Sequence, residues 1–148
     1  MTNIPELIEG LKNRDDKKAY QCLKQLQNES AFSVAVYPFF HIFVEMLSDK
    51  NSYIRTRALI LIAANAKWDT DYKIDEIIDS YLKHITDDKP ITARQCIKAL
   101  PSIVKNKPDL KLDIENALHK ADPTKYKDSI RPLVEKDIQK ALHDIENF

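Results

Sequence analysis

One pattern occurs twice in this chain, 39 positions apart, and it limits the possible folds more than any other feature. Asp49, Ile54, Arg55, Ala58 and Leu61 form the first copy; Asp88, Ala93, Arg94, Ile97 and Leu100 form the second. Within each copy the apolar residues fall three and four positions apart, the spacing of one helix face. A unit of about 40 residues built this way is a hairpin of two helices. Such a hairpin cannot bury its apolar faces alone, so it stacks on the next.

The rest of the chain divides at the same scale. Asn3 is expected to cap a first helix, with Pro5 in its first turn and Glu6 positioned to reach back. Ala19, Leu23 and Leu26 then line a second helix, which makes residues 1–30 an N-terminal capping hairpin. A third helix carries Phe39, Phe40, Phe43, Val44 and Leu47, with Pro38 at its start; Asp49 or Asn51 caps the fourth. The fourth contains Ala58–Ala66, apolar nearly all round, and is expected to be the most buried. Ile74, Ile77, Ile78, Tyr81, Leu82 and Ile85 define the fifth. Asp88 and Pro90 open the sixth, and Pro101 should bend it. Leu110, Ile114, Ala117 and Leu118 mark the seventh, and Ile130, Val134, Ile138 and Ala141 the eighth, where Pro132 either restarts or kinks the helix. The expected repeats span 36–66, 71–106 and 109–146 within a single domain, 1–148. The fold class is all-α: a right-handed α-α superhelix of about four antiparallel hairpins.

Composition narrows function. The only glycine is Gly10, so neither glycine-rich phosphate loops nor a strand-rich fold is expected. Acidic and basic side chains number 23 each, which leaves no overall basic footprint for nucleic acid. Cys22 and Cys96 lie in expected helices and read as reduced thiols. No opening segment has the pattern of a secretion signal and no apolar run reaches membrane-spanning length, so a cytoplasmic monomer without membrane contact is expected.

The motif D-x-x-x-x-[apolar]-R-x-x-[apolar] is matched by Asp49 with Arg55 and by Asp88 with Arg94; a third copy keeps Arg131 but has Lys125 in place of the Asp. On these residues the chain resembles HEAT-like (armadillo/HEAT-type) repeat proteins over roughly 36–146. The stretches NSYIRTRALILIAANAKWD and DDKPITARQCIKALP are similar to a group of small bacterial HEAT-like proteins of unassigned function. The resemblance implies that Asp49, Arg55, Asp88, Arg94 and Arg131 form a structural ladder between neighbouring repeats.

Chemistry-bearing patterns are sparse. His41 with Glu45 and Glu115 with His119 are i, i+4 pairs, but each offers a metal only two ligands, so no metal or cofactor is expected. Asp75, Glu76 and Asp79 cluster at the start of the fifth helix, where they suit its positive end. No serine or cysteine has a nucleophile motif, so the chain reads as a non-enzyme. Trp68 either packs at a hairpin corner or stacks on a ligand. Asn65 is expected to hold the turn at 66–71.

The helix face opposite the core stripe carries Thr56, Ile60 and Lys67 in one unit, Gln95, Ser102 and Asn106 in the next, and Gln139 in the last. Mostly uncharged, it suits a peptide or protein partner, whose backbone its amides can pair with, or else it is simply a solvated face. The first functional expectation is therefore a protein-interaction scaffold that uses this face. The second rests on similarity to HEAT-like DNA glycosylases that remove alkylated bases. In it Arg57, Lys98, Lys105, Lys107 and Arg131 make a basic edge, with Trp68 and Asp69 as base contacts.

Overall fold

The computed structural model describes residues 3–148, so the first two residues of the expected 1–30 hairpin lie outside the described residues. Among the described residues the chain is all-helical, without strands. Eight α-helices follow in order: α1 Ile4–Gly10, α2 Asp16–Phe32, α3 Phe40–Met46, α4 Ser52–Ala64, α5 Lys73–Leu82, α6 Pro90–Asn106, α7 Lys111–Lys120 and α8 Arg131–Glu146. Their starts follow local chemistry. The Asn3 side chain accepts from Glu6 N–H, Asp15 from Lys17 and Lys18 N–H, and Asn51 from Tyr53 N–H. Pro38 sits in a 3-10 turn, Tyr37–Phe39, that leads into α3, and Pro132 lies in the first turn of α8, where it restarts the helix. Pro101 lies inside α6, which runs on past it to Asn106.

The long even-numbered helices pack side by side in the order α2, α4, α6, α8. Each takes the preceding helix as its hairpin partner: α1 lies on α2, α3 on α4 and α7 on α8. The helix α5 reaches α6 through a 3-10 extension, Lys83–Thr86. One hydrophobic core runs unbroken from Ile8 to Ile145. α4 sits in its middle, packed against α2, α3 and α6, and buries Ile54, Arg57, Ala58, Leu59, Leu61, Ile62 and Ala63. The fully buried Tyr81 donates its hydroxyl to Leu59 O at 2.8 Å and so pins α5 to α4. Cys96 is fully buried beside it, and burial pushes its thiol pKa up, which leaves it a packing residue.

Two polar ties between hairpins recur at the same spacing. Trp68 Nε1 donates to Ser30 O at 2.7 Å, and Lys107 Nζ donates to Asp69 O at 3.2 Å. The two donors are 39 positions apart in sequence, and so are the two acceptors. Asn65 holds the turn at 66–71 only through its main-chain carbonyl, which accepts from Trp68 N–H at 3.0 Å. Its amide donates back to Leu61 O and to Ser30 Oγ on α2, because the residue is completely buried in the seam between α2 and α4.

The ladder takes different acids from those the motif suggested. Arg55 grips Asp87 with two bonds, Nη2 to Oδ1 at 2.7 Å and Nε to Oδ2 at 3.0 Å. Arg94 Nε meets Asp137 Oδ2 at 2.6 Å. Asp49 stays in its own turn, where its side chain accepts from Asn51 N–H and its carbonyl from Arg55 Nη1. Asp88 points to solvent, 3.5 Å from Lys125 Nζ; Asp87, one residue earlier, is the one turned beneath α4. Arg131 bonds Tyr126 O and Asp128 within its own hairpin.

Candidate functional site

The layer of even-numbered helices presents a shallow groove. Its widest part is a hollow of about 480 Å³ where α2, α4 and α6 meet. Tyr20 and Leu23 from α2, Tyr53, Thr56 and Ile60 from α4, and Ile91 and Gln95 from α6 line it. A second hollow of about 240 Å³ shares Gln27, Ile60 and Gln95 with the first and extends along α4 and α6 past Ala63, Lys98 and Ser102. A third, about 190 Å³, lies between α6 and α8 and shares Lys98 with the second. The three make one path across all four inner helices.

Local sequence explains the lining. In α4 and α6 the buried stripe is Ile54, Ala58, Leu61 and Ala93, Ile97, Leu100, so residues on roughly the opposite side of each helix face the groove. Tyr53 and Ile91 are each the second residue of their helix, where the side chain leans outward. They are 56% and 67% exposed, and Tyr20 is 54% exposed. Three large apolar groups thus stand open to solvent around one hollow, beside the amides of Gln27 and Gln95.

The charges around the groove are mostly spoken for. Arg57 is buried in its floor; Nη1 donates to Leu11 O at 2.8 Å and Nη2 meets Asp16 at 3.2 Å. Asp137 pairs with Arg94, and Asp144 with Lys140. Lys24 lies over the Tyr20 ring, 5.4 Å from its centre.

Of the seven residues expected on the partner face, the structure brings four together. Thr56, Ile60, Gln95 and Ser102 line the joined hollows, although the Thr56 hydroxyl is bonded to Ser52 O and Thr92 Oγ1 in the α4–α6 seam. Lys67 lies past the end of α4, in the 3-10 turn Ala66–Trp68, and Asn106 is the last residue of α6. Lys67 Nζ donates to Ala31 O, and Asn106 to Ser102 O. Gln139 faces the other way, into a separate hollow between α7 and α8 beside Leu118 and Leu142. The restart of α8 at Arg131 sets its rotation. Burial of Val134, Ile138, Ala141 and Ile145 turns Asp137, Lys140 and Asp144 toward α6. Tyr53 and Ile91 escaped the sequence reading because each neighbours a core position. The available signal was a large apolar residue just before the stripe in both units, one position ahead of Ile54 and two ahead of Ala93.

The alternative basic edge is divided. Lys98 and Lys105 are exposed, but Arg57 and Lys107 are buried. Lys107 Nζ lies 3.1 Å from Asp69 Oδ2 and 2.6 Å from Asp75 Oδ1, with the Tyr72 ring centre 4.3 Å away. Burial alone would lower its pKa; the two carboxylates outweigh that and raise it, so it stays charged. The Asp69 carboxylate also accepts from Tyr37 OH at 2.6 Å and from the N–H groups of Lys73 and Ile74 at 2.9 Å. Burial opposes its charge, yet these donors hold its pKa below the usual carboxylate range. Trp68 uses its N–H on Ser30 O. The candidate base contacts therefore serve hairpin corners. Among the described residues no three His, Cys, Asp or Glu side chains gather as a metal site, and no helix is long and apolar enough to cross a membrane.

The fold and groove define an all-α stack of helices with an open, mildly apolar inner face. No protein-family model matches the chain, and no curated protein matches its sequence.

Proposed function

We propose that this chain is a non-enzymatic HEAT-like binding module that acts in the cytoplasm as a monomer and holds a protein partner in the groove of its even-numbered helices. One observation carries the reading: Tyr20, Tyr53 and Ile91 stand exposed around a single hollow whose walls also offer the Gln27 and Gln95 amides. Exposed aromatic and aliphatic groups gain by being covered, and side-chain amides pair with a partner's backbone, a combination found where proteins meet. The groove crosses α2, α4 and α6, so each hairpin contributes a strip and none forms the site alone.

Affinity recovery from native lysate, comparing the wild type with Gln95→Glu plus Ser102→Glu, tests the assignment. Both positions lie on the helix surface away from the core, so the variant should melt like the wild type. At least one protein recovered by the wild type should be lost by the variant. Equal recovery of every protein would remove the groove from consideration. Gel shifts with duplex DNA at low salt address the nucleic-acid reading. No shift is expected at micromolar protein, whereas binding that weakens steeply with salt would favour that reading.

A further inference from the structure

We propose that the occupant of the groove is an extended, acidic peptide segment with one aromatic or branched aliphatic anchor. This rests on the reading of the groove as a protein-binding site and deepens it.

The charge balance of the wall carries the inference. Each carboxylate that lines the path already has a cation: Asp16 has Arg57, Asp137 has Arg94 and Asp144 has Lys140. Two lysines on the path have no such match. Among the described residues neither Lys24 nor Lys98 has a carboxylate within 4 Å, and both are exposed. With the lining carboxylates paired, these two lysines leave a local surplus of two positive charges along the hollows. Complementary charge steers encounter and selects partners more than it adds raw affinity, so the two lysines would favour acidic segments over basic ones.

The shape of the lining supplies the remaining terms. The hollow of about 480 Å³ has room for a large side chain, and an aromatic or branched aliphatic one would cover the exposed faces of Tyr20, Tyr53 and Ile91. The Gln27 and Gln95 side chains make no hydrogen bond to the protein among the described residues, although both line two adjoining hollows. Each can give and accept one bond to a peptide backbone, which an extended segment leaves available and a helix does not. Two lysines displace few counterions, too few to hold a nucleic-acid backbone at moderate salt.

Selection of a displayed random decapeptide library on the immobilised full chain tests this, run in parallel on Lys24→Glu/Lys98→Glu and on Ala63→Trp, which fills the groove. Wild type should enrich acidic peptides with a single Phe, Tyr, Leu or Ile. A synthetic peptide from that pool should bind about five- to ten-fold more weakly to the charge-reversed protein, whose own selection should shift toward basic peptides. It should also lose binding to Ala63→Trp and when its anchor is changed to Ala. A wild-type pool that is neutral or basic, yet sensitive to Ala63→Trp, would overturn the acidic class and leave the protein-binding reading standing. No enrichment, or peptides that bind all three proteins equally, would overturn both. Circular dichroism melts confirm that the variants fold. Should Ala63→Trp melt early, backbone amide shifts of Gln27, Gln95 and Tyr53 in the wild type on adding the peptide replace it. Concentration-dependent dimerisation abolished by Ile91→Glu would also refute the proposal, because the occupant would then be a second copy of the chain.

Discussion

Asp87 is the side chain on which most of the polar structure converges. It takes two bonds from Arg55 on α4 and one from the N–H of Lys89 just before α6, and Oδ2 lies 2.7 Å from His84 Nδ1. Burial alone would raise its pKa, but Arg55, the Lys89 N–H and His84 outweigh that and bring it down to about 2. A depressed carboxylate pKa contributes stability that is complete above the unfolded value, near 3.9, and fades as pH falls toward the folded one. Asp87→Asn should therefore cost about 2–3 kcal/mol at pH 7, because Arg55 is left with a largely buried, unmatched charge. In urea melts the gap between wild type and variant should narrow by about 1–2 kcal/mol between pH 5 and pH 2, allowing for solvent screening. A gap constant over that range would show that the pair is not coupled to folding. Gly10, the only glycine, yields a second prediction at this scale. A Cβ added there would clash with Cys22 Sγ but lie 3.4 Å from Cys22 Cβ, so the sulfur is the obstacle. Gly10→Ala should destabilise by about 1 kcal/mol in the wild type. With Cys22→Ala in place it should stabilise by about 0.5 kcal/mol, since alanine is the better helix former. The same sign of effect in both backgrounds would refute the steric account.

At the level of helices, the start of α5 is held from a distance. Its N-cap, Tyr72, is the only non-glycine among the described residues with a positive φ, 59°, and its side chain makes no capping bond. Asp69, three residues upstream, caps the helix instead and ties it to Lys107, just past the end of α6. Asp69→Asn keeps an oxygen for the cap but removes the charge opposite Lys107, and should cost about 2–3 kcal/mol. Lys107→Met should cost a similar amount. The double variant should be milder than the two effects added, by about 1–2 kcal/mol in a double-mutant cycle, and strict additivity would show that the two groups do not act as a pair. The stripes of these helices were legible in sequence because helical spacing repeats locally: Ile54, Ala58, Leu61 and their counterparts 39 residues on are buried as expected. The acid opposite each arginine was not. Asp87 and Asp88 are adjacent and chemically identical, and the rotation of the turn that chooses between them is set by packing against another hairpin. Gln139 was misplaced for a related reason, since the restart at Pro132 sets the rotation of α8.

Across the whole molecule, the unbroken core and the corner bonds make neighbouring hairpins depend on one another. α4 and α6 are covered on the most sides, whereas α1 packs mainly on α2 alone. In native-state hydrogen exchange, the amides of α4 and α6 should open only with global unfolding, while those of α1 and the last turn of α8 should exchange by local opening. Two blocks that open independently within 36–106 would contradict a continuous core. The all-helical packed arrangement was readable because it needs only helix length and stripe spacing. The groove was readable in part: Thr56, Ile60, Gln95 and Ser102 meet there, but Tyr53 and Ile91 became visible only once three helices were placed side by side. The bonds from Trp68 and Lys107 to the main-chain carbonyls of the preceding hairpin have a mechanical consequence. They rivet consecutive corners at one tilt, so the molecule should answer a pull along its length as a stiff plank, yielding by losing a rivet rather than by stretching like a spring.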